Sequence, residues 1–307
     1  MCAHSGAVPP AAVFADPAAL AESLARAGYL ADEGLAVAGF LALKLQRPVF
    51  LEGDAGVGKT AFATALAAAT GLDLVRLQCY EGLDAAQALY DWDFPRQVLH
   101  LRAVEAASRG AVSAAEIEAD LYDRRFLIAR PLLQAIERAP CVLLIDEVDR
   151  ADDEFEAFLL ELLADAAITI PELGRVAADE PPLVVITSNR TREVHDALKR
   201  RCLYHWVAHP SPEREAAILR TRLPAVTERL AGQVAAAMAR LRTLDLVKPP
   251  GVAEAIDWAA ALGALGADTL GAEIASVTLG AVLKVREDLD RVRALPPAAL
   301  VEALDAP

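Results

Sequence analysis

The stretch that decides the fold is a loop that reads Gly53-Asp54-Ala55-Gly56-Val57-Gly58-Lys59-Thr60. It matches the phosphate-loop pattern G-x-x-x-x-G-K-[ST] at every defined position. A short apolar run, 48–51, precedes the loop, and an alanine-rich run, 61–70, follows it. These flanks predict a buried strand before the loop and a helix after it. A glycine-rich turn without a ligand is the alternative, and the strand–loop–helix context disfavours it.

The loop predicts a binding site for a nucleoside triphosphate. Its glycines let backbone N–H groups point inward at an anion, and the N-terminus of the following helix adds a partial positive charge. Lys59 is predicted to reach the β- and γ-phosphates, and the Thr60 hydroxyl is predicted to hold Mg²⁺. A nucleoside triphosphate with Mg²⁺ is therefore expected, contacted by residues 53–60.

Composition limits the class of protein. The chain has 307 residues, 55% of them hydrophobic, which is enough for two domains with buried cores. The formal net charge of −14 repels a phosphate backbone and disfavours nucleic acid as the main partner. No apolar run reaches transmembrane length and no signal peptide is evident, so we expect a cytoplasmic protein without stable membrane insertion. Four cysteines show no paired spacing and are expected to be reduced, with two of them acting as small hydrophobes at strand ends, Cys79 and Cys141.

Further apolar runs predict a parallel sheet. They are separated by helical segments and lie at 72–77, 141–145, 183–187 and 203–207. Together with 48–51 they predict an α/β fold with a five-stranded parallel sheet. After residue 211 only helical patterns occur, at 213–222, 225–241, 252–265 and 271–292. We therefore predict a flexible N-terminal lead, an α/β nucleotide-binding domain and an all-α domain, at residues 1–16, 17–209 and 210–307.

Two carboxylates follow the third of these strands. Asp146 and Glu147 end the apolar run 142–145, and ligands of open parallel sheets lie beyond the carboxyl ends of the strands. Asp146 is predicted to support Mg²⁺, and Glu147 to accept a proton from, or align, the attacking water. A solvated acidic turn is the alternative, and it is disfavoured beside an intact phosphate loop.

Polar residues after the next strand extend this candidate site. Asn189 is predicted to hold the lytic water, with capping of the following helix as the alternative role. Arg200 and Arg201 end a short helix, where cations favourably cap the helix dipole. Their sharper interpretation is an arginine finger that points into the nucleotide of a neighbouring subunit.

Together these motifs resemble the AAA+ ATPases, and narrower features resemble the MoxR branch of that superfamily. The narrower features are Leu51-Glu52-Gly53 before the phosphate loop and the segment 146–151, which approaches that branch's D-E-I-N-R-A with Asp149 in place of the usual Asn. The segments 76–84 and 90–97 look most like the ATPases that mature molybdenum-containing carbon monoxide dehydrogenase.

The resemblance implies an AAA+ three-layer αβα domain followed by a helical lid, assembled into a homo-hexameric ring. Such rings hydrolyse ATP and remodel client proteins, typically with a partner that carries a von Willebrand factor A domain. The implied client is a metalloenzyme, carbon monoxide dehydrogenase, whose molybdenum–copper centre is being assembled. The resemblance further implies nucleotide contact by residues 53–60, Mg²⁺ support by Asp146, water activation by Glu147 and sensing by Asn189. It implies Arg201 as the trans-acting finger, with Arg200 as the fallback.

The chain departs from this pattern at the start of a lid helix, where many relatives place an arginine. Residues 248–254 contain none, and Lys248 is a candidate substitute. The long interval 79–141 is expected to carry an insertion, with Trp92 and Phe94 either packed in a core or exposed near a central pore. Two other functions stay open: a low-turnover, nucleotide-dependent assembly scaffold and a DNA-directed motor of the same superfamily.

Overall fold

The computed structural model describes residues 14–108 and 120–296. Of the predicted flexible lead, 1–16, residues 1–13 lie outside the described part of the chain. The strands are β1 Val49–Glu52, β2 Leu74–Gln78, β3 Tyr90–Trp92, β4 Leu127–Ala129, β5 Val142–Asp146, β6 Ala167–Ile170, β7 Gly174–Ala177, β8 Leu183–Ser188 and β9 Leu203–Trp206. The α-helices are α1 Pro17–Arg26, α2 Glu33–Leu45, α3 Lys59–Thr70, α4 Ala85–Leu89, α5 Phe94–Ser108, α6 Pro131–Glu137, α7 Asp153–Asp165, α8 Asp196–Arg201, α9 Pro212–Arg222, α10 Glu228–Thr243, α11 Val252–Ala264, α12 Ala272–Thr278 and α13 Arg286–Arg293.

The five predicted strands form one parallel sheet in the order β2-β5-β8-β1-β9. Strand β5 pairs in parallel with β2 on one side and with β8 on the other. Every residue of β5 and β8 is buried, as expected for parallel strands that are covered on both faces. The predicted α/β fold with a five-stranded parallel sheet is therefore confirmed, and the region after residue 211 is helical as predicted.

Strand β2 lies at one end of that sheet and is half exposed. Val75 and Leu77 point into the core, while Arg76 and Gln78 alternate with them and are exposed. The register places Gln78 opposite Asp146. Polar side chains of β2 therefore line the same stretch of sheet as the end of β5.

Two small antiparallel sheets were not predicted from the sequence. β3 pairs with β4 inside the long interval 79–141, and β6 pairs with β7 as a hairpin. The interpretation of Phe94 as a core residue is wrong, because this residue is 62% exposed at the start of α5. Trp92 is half buried and meets Tyr90 and Tyr122 edge-on, at centroid distances of 6.2 and 5.3 Å.

The predicted helix 271–292 is broken in two. α12 ends at Thr278, a single 3-10 turn follows at Leu279–Ala281, and α13 begins only at Arg286. The Thr278 hydroxyl donates to the carbonyl of Ile274 at 2.6 Å and accepts from the indole N–H of Trp258 at 2.8 Å. A side chain that bonds back to its own helix tends to bend it, and this contact lies at the residue where α12 ends.

The chain divides into two compact units, each drawn from separate stretches. Within the described residues, unit 1 comprises 14–20, 33–51 and 66–205, and its core is the apolar sheet with the helices that cover it. Unit 2 comprises 21–32, 52–65 and 206–296, and its core gathers around the fully buried Trp258. Among the described residues, no helix is both long and apolar enough to cross a membrane.

The cysteines that the structure describes behave as the sequence predicts for small hydrophobes. Cys79, Cys141 and Cys202 are free and buried. Burial raises the pKa of Cys79 to about 12, with a further contribution from the nearby Asp146 carboxylate. Burial likewise raises the pKa of Cys141 to about 11. These thiols therefore stay protonated at neutral pH.

Candidate functional site

In unit 1, the carboxyl end of β5 presents a buried carboxylate. Asp146 is only 2% exposed, and its Oδ1 accepts a hydrogen bond from the Thr187 hydroxyl at 2.6 Å. Its Oδ2 accepts from the Arg76 guanidinium, also at 2.6 Å. A buried carboxylate is costly without such partners, so the two contacts explain how Asp146 is kept at this position.

Glu147, the next residue, is held in an uncommon backbone conformation. Its φ of 56° and ψ of 51° lie in the left-handed region, which costs a non-glycine residue on the order of 1–3 kcal/mol. Its N–H donates to the Thr187 hydroxyl oxygen at 2.9 Å. Its carboxylate is held between two side-chain amides, because Oε1 accepts from Asn189 and Oε2 from Gln78, each at 3.1 Å. The strained backbone and the two amides together fix the direction of this carboxylate.

Asn189 is in turn positioned by Asp149. The Asp149 carboxylate is 2% exposed and accepts from the backbone N–H of Asn189 at 3.1 Å. It also accepts from the N–H and the hydroxyl of Thr191, at 2.8 and 2.7 Å. All three partners are donors, so a carboxylate suits this position better than an amide. The alternative role of Asn189 as a helix cap is wrong, because α8 begins at Asp196 with His195 at its N-cap.

Two site residues were missed by sequence reasoning, Arg76 and Gln78. They lie on the exposed face of β2, and Arg76 also donates to Gln78 Oε1 at 2.5 Å. The available signal was the alternation in residues 74–78, where two polar side chains interrupt an apolar strand at every second position. The sequence did not show that this strand lies beside β5.

In unit 2, the phosphate loop has the backbone that its glycines permit. Gly56 and Gly58 have φ of 78° and 101°, a region that L side chains avoid. Helix α3 begins at Lys59, which places the half-buried Thr60 in its first turn. The buried Lys59 ammonium donates to the carbonyls of Gly53 and Asp54, each at 2.7 Å. The loop is thus folded as a compact cradle that begins at Gly53.

The start of α11, also in unit 2, packs on this cradle. The N–H of Ala253 donates to the carbonyl of Gly56 at 3.2 Å. A Cβ on Gly251 would lie 2.7 Å from the Ala55 oxygen, so the approach requires glycine. Glu254 accepts from the Gly251 N–H at 3.0 Å and completes the helix start.

A buried ion pair fixes the segment that leads into α11. Arg242 makes two hydrogen bonds to the Glu215 carboxylate, at 2.6 and 2.7 Å, and donates to the Pro250 carbonyl at 2.8 Å. Lys248, the candidate substitute for a lid arginine, is exposed, and its backbone N–H donates to Asp288 at 3.0 Å. In the described residues, the start of α11 contacts the phosphate loop through Gly251, Ala253 and Glu254.

The other end of the loop is held by a histidine. His209 Nε2 lies 3.2 Å from the Asp54 carboxylate. Burial, and then the charge of Arg242, lower the pKa of His209, while Asp54 opposes the shift. His209 is therefore neutral at pH 7 and donates one hydrogen bond to the loop.

The two arginines predicted as finger residues lie at the end of α8 and are exposed. The Arg47 guanidinium fixes their backbone by donating to the carbonyls of Arg200 and Arg201, at 3.1 and 3.3 Å. The Arg201 side chain donates to the Leu160 carbonyl of α7. Within the described residues, no hydrogen bond or ion pair engages the Arg200 side chain.

Each unit thus gathers part of the predicted set. Unit 1 brings Asp146, Glu147 and Asn189 together with Arg76 and Gln78 into one hydrogen-bonded group, the acidic cluster. Unit 2 holds the phosphate loop. Arg200 and Arg201 lie in unit 1, and the hydrogen bonds described for them do not involve the cluster.

Comparison with known proteins gives the family. The sequence profile of the AAA domain, dynein-related subfamily, matches residues 48–202, which is just over half of the chain. A 48-residue stretch is 48% identical to midasin of Giardia intestinalis, a match that spans 16% of this chain and 1% of midasin. The crystal structure of the FIGL-1 AAA domain is similar with a TM-score of 0.42 and 18% identity, over 85% of this chain and 78% of that one. The profile match covers both the phosphate loop and the acidic cluster, and the chain therefore belongs to the AAA family, in its dynein-related subfamily.

Proposed function

We propose that this chain is an ATP-hydrolysing ring ATPase of the MoxR type, which remodels a client protein. AAA domains in general bind and hydrolyse nucleotide, which supports the ATPase part of the proposal. The observation that carries it is the Glu147 carboxylate, fixed between the amides of Asn189 and Gln78. A carboxylate directed in this way is suited to align a water and take its proton.

The residues present also fit ATP with Mg²⁺. The Thr60 hydroxyl and the Asp146 carboxylate offer the hard oxygen atoms that Mg²⁺ prefers. The backbone N–H groups of residues 53–60 and the Lys59 ammonium suit phosphate oxygens. When bound, Mg²⁺ neutralises charge on the phosphates. Asn189 would orient the water, and Glu147 would hold its proton.

The finer assignment rests on sequence resemblance. The segments 76–84 and 90–97, with 146–151, support a role in the maturation of a metalloenzyme, with carbon monoxide dehydrogenase as the proposed client. A homo-hexameric ring and a partner with a von Willebrand factor A domain belong to the same proposal. Residues 17–209 and 210–307 are proposed as its α/β and helical domains.

Phosphate release tests the enzymatic part. Glu147→Gln keeps the size of the side chain and removes its ability to accept a proton, so turnover is expected to fall about 10²–10⁴-fold. Nucleotide binding, measured by calorimetry, is expected to persist in this variant and to be lost in Lys59→Ala.

The same measurement separates the alternatives. Equal phosphate release by Glu147→Gln and the wild type would exclude catalysis by Glu147 and favour a nucleotide-dependent scaffold. A DNA-directed motor is disfavoured by the net charge of −14, and salt-sensitive binding to duplex DNA would restore it.

A further inference from the structure

Both oxygens of the Asp146 carboxylate are engaged in the structure. Thr187 donates to Oδ1, and the guanidinium of Arg76 donates to Oδ2, each at 2.6 Å. The Asp146 side chain is 3% exposed, whereas the Arg76 side chain is 52% exposed. The ion pair therefore joins a buried, fixed carboxylate to an arginine that has solvent into which it can move.

The position of Arg76 follows from the strand that carries it. Val75 and Leu77 anchor one face of β2 in the core, so Arg76 must lie on the other face. The parallel register pairs Arg76 with Leu144, two residues before Asp146. Arg76 also donates to Gln78 Oε1 at 2.5 Å, which directs the opposite end of that amide toward Glu147.

Resting on the proposed function, we propose that Arg76 is the counter-ion of Asp146 before Mg²⁺ binds, and that cation binding displaces its guanidinium. A metal-bound water would donate to the same Asp146 carboxylate that accepts from Arg76, and two cations beside one carboxylate repel each other. Arg76 thereby sets the Mg²⁺ concentration at which the site becomes loaded. Its departure also releases Gln78, so loading of the cation is communicated to Glu147.

The test measures cation binding by thermal unfolding, independently of turnover. Each protein is saturated with a non-hydrolysable ATP analogue, and the melting temperature is followed as MgCl₂ is added. Arg76→Gln removes the competing charge, so the half-saturating Mg²⁺ concentration is expected to fall at least about threefold. Without Mg²⁺ its melting temperature is expected to be lower than that of the wild type, because the buried Asp146 carboxylate loses its ion pair with Arg76.

The matched control is Arg130→Gln. Arg130 is also half exposed, lies in unit 1 and pairs with the exposed Asp91 at 3.3 Å. Arg130→Gln removes the same charge without touching Asp146, so the half-saturating Mg²⁺ concentration of this variant is expected to equal that of the wild type. If Arg76→Gln does not fold, Arg76→Met serves instead, because it also removes the competing charge, and it is expected to shift the value in the same direction.

The outcomes separate this inference from the function on which it rests. A wild type that shows a Mg²⁺-dependent shift, with an unchanged or higher half-saturating concentration in the Arg76 variant that folds, would overturn the role of Arg76 alone. An equal fall in Arg130→Gln would show a general charge effect and would overturn it too. A wild type with no response to nucleotide or Mg²⁺ would overturn the proposed function and this inference with it.

Discussion

At the scale of single residues, the chemistry of the acidic cluster depends on side chains that position the catalytic candidates through hydrogen bonds. The sequence predicted Asp146, Glu147 and Asn189, because strand ends followed by polar residues are recognisable motifs. It did not predict that Asp149, noted only as a departure from the usual Asn, would accept three hydrogen bonds from the segment that carries Asn189. That role depends on a long-range contact across 40 residues, which no local pattern encodes.

Asp149→Ala is predicted to loosen Asn189. It leaves the donors of Asn189 and Thr191 without their acceptor, and stability is expected to fall by about 1–3 kcal/mol in urea unfolding. Phosphate release is expected to fall at least about tenfold, since the amide that orients Glu147 is no longer fixed. Asp153→Ala, at a carboxylate whose side chain is 81% exposed, is the control and should change neither quantity. Unaltered turnover in Asp149→Ala would contradict this positioning role.

At the scale of elements, the long apolar strands were predictable and the short ones were not. β5 and β8 are buried throughout, so their uniform apolar runs are strong signals. β3 and β4 have three residues each and meet only after α5 intervenes, so their pairing is set by tertiary contacts. The hairpin of β6 and β7 had a local signal that the sequence analysis did not use: Pro171 and Gly174 closely follow the β-branched run 168–170.

The start of α11 offers a test of an element contact, with Gly251→Ala. A Cβ there would lie 2.7–2.9 Å from backbone atoms of Ala55 and Gly56, so the helix or the phosphate loop must shift. We expect a loss of about 1–3 kcal/mol of stability and a comparable weakening of nucleotide binding, measured by calorimetry. Gly271→Ala is the matched control, because Gly271 is also a helix N-cap and its Cβ would meet nothing within 4 Å. Equal affinities in the two variants would show that the contact does not support the loop.

At the scale of the whole molecule, the proposed ring needs a group that reaches a neighbouring subunit. Arg200 and Arg201 are both exposed at the end of α8, with their carbonyls fixed by Arg47. Arg201 must release the Leu160 carbonyl before it can act elsewhere, whereas Arg200 has no such bond among the described residues. Sequence position favoured Arg201, and the side-chain contacts make Arg200 a genuine competitor.

Arg201→Ala is predicted to keep nucleotide binding and to lose about 10³-fold or more in turnover. Arg200→Ala serves as the comparison and should keep most of the wild-type turnover. Mixing Arg201→Ala with Lys59→Ala subunits should restore part of the activity, because an intact finger then meets an intact loop at some interfaces. The reverse ranking of the two variants would assign the finger to Arg200, and full activity in both would exclude catalysis across a subunit boundary.

The contacts of Gly56 have a consequence for how the chain can be shortened. Gly56 receives its hydrogen bond from Ala253, nearly 200 residues downstream, and the loop's glycines lie against backbone supplied by Val207 and Gly251. A fragment that stopped after β9 would keep the whole signature sequence and every acid of the cluster. It would nevertheless lack the scaffolding that shapes the anion cradle, so trimming the protein to its most recognisable portion would discard what makes that portion work.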